Sequence, residues 1–192
     1  MHVAKSWMMR ALLASAVVLT SACSDNNRES VDPGLSEQTL TLDDAQIVRV
    51  LQVANEGEVA LGTLGQSLAT TEPVRDFSAE MVTEHTAARQ QLDALAAAQG
   101  IRPADSEVSM QLMEEVQRLL LGLDGLEGER FDLALMDAQL AAHARTAMLA
   151  DALLAPQAQN EALQEELRAQ RLAVQKHLEE ALPIQKALFE AP

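Results

Sequence analysis

The chain has 192 residues, one cysteine, no tyrosine, and 29 acidic against 14 basic residues, a formal net charge of -15. Such a surface repels phosphate backbones and anionic headgroups, and three phenylalanines with one tryptophan are too few to stack bases or sugars, so no nucleic-acid partner is expected. A lone cysteine rules out an intrachain disulfide and a sulfur-ligated cluster, which leaves packing to stabilise a chain long enough for one domain.

Residues 1–22 read as a signal peptide. Lys5 and Arg10 precede an apolar run from Ala11 to Leu19, followed by the small residues Ser21 and Ala22. The run falls short of the ~20 residues of a membrane-spanning helix. Ser21-Ala22-Cys23 resembles a lipobox, with Thr20 where leucine is usual, so Cys23 is the expected lipidation site. An odd free thiol in an oxidising compartment would otherwise be a liability. Ser24 resembles the sorting signal for the outer membrane, which predicts a lipid-anchored protein facing the periplasm. Residues 23–42, with Asn26, Asn27, Asp32, Pro33 and Gly34, show no sustained apolar period and are expected to form a flexible tether.

From Asp43 to residue 190 alanine, leucine, glutamine and glutamate dominate and apolar residues recur every three or four positions, which predicts helices throughout. The first spans about Asp43 to Ala69, with Ile47, Leu51, Ala54, Leu61 and Leu68 inward. A second follows Thr71 as cap with Pro73 in its first turn, and ends near Gly100. A short amphipathic helix carries Val108, Leu112, Val116, Leu119 and Leu120. A third long helix runs from about Glu129 to Ala155, and a fourth starts near Asn160 and is stopped or kinked at Pro183. Two hairpins with short turns, joined by a long connection, predict an all-α, ferritin-like four-helix bundle.

Polar residues interrupt the apolar stripes. Glu58, His85 and His177 fall on inward positions, Gln139 does so too, and His143 lies one step round from it. Glu58 and His85 stand nearly equidistant from Thr71, so they are expected to be level and to face each other as a structural pair or the start of a metal site. Taking Ala158 as the turn, Gln139 and His177 are level and His143 sits about one turn, ~5–6 Å, away. Glu58, His85, His143 and His177 are therefore the candidate ligands, with Glu84 and Gln139 in reserve, for a divalent metal such as iron, zinc or manganese. The Glu-x-x-His spacing of di-iron bundles is missing. Met81, four residues before His85, is expected to be core filler rather than a copper ligand. Asp132 shares a face with His143 but lies ~16 Å along the axis, and is expected at the surface or in a first turn.

Several stretches resemble the domain of unknown function 4142 family, exported bacterial proteins often labelled outer membrane proteins. They are Ala54-Asn55-Glu56-Gly57-Glu58, Val74-Arg75-Asp76-Phe77, Met81-Val82-Thr83-Glu84-His85, Phe131-Asp132 with Gln139 and His143, and His177-Leu178. The resemblance spans about Asp43 to Leu182 and implies a ferritin-like bundle of unassigned biochemical role. Glu84 departs from it, standing where an aspartate is common.

Two functions follow. The first is a lipid-anchored, periplasm-facing protein that binds a metal inside the bundle and has a stress-protective role. The second is a structural or interaction module without metal, whose acidic surface meets an envelope partner. No nucleophile–base signature is present, which disfavours an enzyme.

Overall fold

The computed structural model describes residues 40–190, and every regular element in it is helical. The leader, Cys23 and the tether up to residue 39 lie outside the described residues. Five α-helices follow in order: α1 (Asp44–Leu68), α2 (Glu72–Gln99), α3 (Glu107–Leu123), α4 (Gly128–Leu149) and α5 (Glu161–Glu190). A π-helical turn, Ala150–Leu154, extends α4.

Local chemistry sets the ends. Asp43 and Gln46 form a capping box on α1, and Ser106 and Ser109 form another on α3. Gly100 closes α2 at φ 67, a conformation glycine adopts without strain. Thr71 is the N-cap of α2, as expected, but its side chain makes no capping bond. Asp132 of α4 takes that role instead, accepting from Thr70 N (2.9 Å), Thr71 N (2.8 Å) and Thr70 Oγ1 (2.9 Å). It is fully buried rather than at the surface. Burial alone would raise its pKa, but the bonds from Thr70 and Thr71 outweigh that and hold it below the usual value.

Pro183 does not stop α5, which runs through it. The residue is exposed, so water can take the carbonyl that it frees. Leu42, placed in the tether by its sequence, is buried in the core, and its N–H donates to Gln157 Oε1 at 2.8 Å.

α1 packs on α2 and α4, α5 packs on α2 and α4, and α3 lies against α1 and α4. α1 and α2 approach closely at Gly62, where a Cβ would stand 2.8 Å from the Ser78 carbonyl oxygen, so a larger residue forces the backbones apart.

The core divides into two apolar clusters. One holds Ile47 and Leu51 of α1, Leu92 of α2, Leu154 of the π turn, and Leu163 and Leu167 of α5. The other holds Leu61 of α1, Val74 and Met81 of α2, Phe131 and Leu135 of α4, and Ala181 of α5. Met81 is thus core filler, as its spacing predicts. Between the clusters along α1, α2, α4 and α5 lies a buried polar layer of Asn55, Glu58, His85, Gln139, His143 and His177. The order of the clusters along each helix gives the directions: α2 and α4 run one way, α1 and α5 the other, so among these four the helices that touch are antiparallel. α3 carries the chain back between α2 and α4.

A buried three-histidine centre

His85, His143 and His177 come from three helices and meet in the polar layer. One ring nitrogen of each lies within 4.8 Å of the others, and ring centroids are 5.1–5.4 Å apart. All three are buried. His143 and His177 are in contact, Nε2 to Nδ1 at 3.1 Å, so they are level rather than a turn apart. The turn is centred near Asn160, not Ala158: α4 continues through the π turn, α5 begins at Glu161, and Asp151 pairs with Arg171 across the same hairpin.

Hydrogen bonds fix which nitrogen of each ring carries its proton. His143 Nδ1 lies 2.9 Å from the backbone oxygen of Gln139, one helical turn before it, and a carbonyl can only accept. His143 Nε2 therefore keeps its lone pair. His177 Nε2 donates to Glu84 Oε2 at 2.8 Å. The Lys176 ammonium, bonded to Glu84, together with His177, lowers the Glu84 pKa to about 2, so this carboxylate is ionised and accepts from His177 Nε2–H, which leaves Nδ1 as the nitrogen that faces His143. Asn55 Nδ2 donates to Leu51 O (2.8 Å) and Gln170 Oε1 (3.1 Å), which turns Asn55 Oδ1 towards His85 Nδ1 at 2.9 Å. His85 Nε2 is left buried with no partner.

The expected contact between Glu58 and His85 is replaced by another. Glu58 Oε1 stands 3.1 Å from His143 Nδ1, and Oε2 is buried without a partner. Burial raises the Glu58 pKa well above the usual carboxylate range. Burial also pushes His85 down to about 3, with help from the neighbouring imidazoles, and His143 down to about 4. Both rings are therefore neutral at pH 7. Gln139 is fully buried, and both atoms of its side-chain amide lack partners.

The structure thus gathers the three histidines. It sets Glu58 behind His143 and Glu84 behind His177, as partners of the rings rather than members of the cluster. Asn55 was not among the candidate ligands, although it lies three residues before Glu58, on the same helical face.

Three imidazoles whose second nitrogens are held by a carbonyl, an amide oxygen and a carboxylate have the organisation of a metal-ligand set, in which outer partners fix tautomer and aim. The molecule is therefore an all-helical protein with a buried three-histidine centre. Residues 30–184 match the family model described as "Domain of unknown function (DUF4142)", and the chain belongs to that family. No curated protein and no solved structure matches it.

Proposed function

We propose that α1, α2, α4 and α5 form a ferritin-like four-helix bundle that binds one divalent metal ion through His85 Nε2, His143 Nε2 and His177 Nδ1. Glu84, Asn55 and the Gln139 carbonyl orient the rings. The observation that carries the reading is the pair of lone pairs meeting at 3.1 Å between His143 and His177. A proton shared by these two rings would relieve that repulsion but would leave His85 Nε2 buried and unsatisfied. A cation serves all three nitrogens, and neutral imidazole suits zinc or iron better than manganese, which prefers oxygen ligands.

The leader and Cys23 support a lipid-anchored, exported protein, and no helix among the described residues is long and apolar enough to cross a membrane. A stress-protective role, by withholding a metal or using it, fits this placement. The metal-free alternative, an envelope interaction module, keeps the histidines as a register device. Metal analysis of protein purified without chelator separates the two. One equivalent in the wild type and a trace in His85→Ala support metal binding, and equal traces in both refute it.

A further inference from the structure

Beside the cluster lies a cavity of ≈ 70 Å³, lined on its inner side by Glu58, His85 and His177 and on its outer side by Ala88 of α2 and Ala173 of α5. It follows the α2–α5 seam, where both alanines are partly exposed. Both side chains are small, and leucine at either position would fill space on the outer side of the cavity. Among the described residues no fourth histidine, cysteine or carboxylate joins the three rings. Glu58 lines the cavity, and its Oε2 is buried with no hydrogen-bond partner.

We infer that the metal centre keeps a coordination position open to a small exogenous ligand of two to four heavy atoms, which enters through the α2–α5 seam between Ala88 and Ala173. This rests on the metal-binding reading above. Three neutral imidazoles leave the full positive charge on a divalent ion, so the position attracts water or a small anion, and the Glu58 carboxyl group supplies the polar contact on the far side. A site of this size holds a few water-sized groups and excludes a sugar, a nucleotide or a peptide. Only ligand exchange is required: water leaves the metal and the small molecule takes its place.

The probe is azide, titrated into the full mature protein loaded with cobalt(II) and followed by visible absorption. Wild type is expected to show a saturable spectral change at one cobalt per chain. Ala88→Leu and Ala173→Leu are expected to keep that cobalt stoichiometry and to weaken azide by about tenfold or more. Ala88→Val and Ala173→Val serve if a leucine variant loses its helical circular dichroism. Stoichiometric cobalt with a spectrum indifferent to azide overturns this inference and leaves the metal site standing. Failure to bind cobalt at all overturns both. Equal azide affinity in wild type and folded seam variants overturns the proposed route.

Discussion

His143 Nε2 and His177 Nδ1 lie 3.1 Å apart, and each ring holds its proton on the opposite nitrogen, against Gln139 O and Glu84 Oε2. Two acceptors at that distance repel unless something positive lies between them. The rings cannot turn away without giving up buried hydrogen bonds, each worth about 1 kcal/mol, or more where the partner is charged. The same bonds that define the cluster thus hold its inward nitrogens in the arrangement that the proposed metal binding requires.

Acid should destabilise the metal-free protein. His85 and His143 have folded pKa values of about 3 and about 4, below the ordinary 6.5, so the unfolded chain takes up protons first as pH falls. The stability they contribute is present above pH 6.5 and is lost as pH drops towards the folded values. The sign is opposite to that of a histidine raised by a facing carboxylate, because burial dominates: His143 is lowered although Glu58 stands beside it. Urea unfolding of chelated protein should show a loss of about 1–3 kcal/mol between pH 7 and pH 5, reduced in His85→Gln. Bound metal should steepen the loss, since protons compete for the same nitrogens.

Glu58 carries the opposite sign. Its folded pKa is raised, so its contribution is complete below the unfolded carboxylate value and is lost as pH climbs through the folded one. Glu58→Gln removes the buried ionisation and should stabilise the chelated protein above neutral pH by about 1–3 kcal/mol. Metal-loaded protein should gain less, because a nearby divalent charge favours the carboxylate. Denaturant midpoints of both forms at pH 8 check this, and a destabilised chelated variant would contradict it.

Asp132→Ala should cost about 2 kcal/mol, because it leaves the Thr70 and Thr71 N–H groups without their acceptor at the head of α2. Asp132→Asn, which keeps one accepting oxygen, should recover part of the loss in urea unfolding.

The helices were legible because their signals are local: a pair of aspartates, Asp43 and Asp44, of which Asp43 caps, Pro73 one turn from a break, Gly100 past the last turn. The inward series also placed His85 and His177 correctly as groups facing the core, and His143, one step round from its series, is buried as well. Heights across the second hairpin were misread, because a π turn after Leu149 has no signature in an alanine-rich stretch and moves the effective turn by about two residues. The partners were misread for a related reason. Whether Glu58 meets His85 or His143 depends on the rotation of α1 between α2 and α4, which packing at Gly62 and Gly65 sets rather than periodicity. Asp132 was missed as a cap because its partners, Thr70 and Thr71, are far away in sequence.

The central claim is that three imidazoles share one ion. X-ray absorption of the zinc-loaded mature protein tests it most directly, since backscattering from histidine rings counts them and gives their distance. The prediction is one zinc per chain with three imidazole nitrogens at about 2.0–2.1 Å and no sulfur, lost in a variant with all three histidines replaced. An all-oxygen shell, or a zinc signal unchanged in that triple variant, would contradict the account.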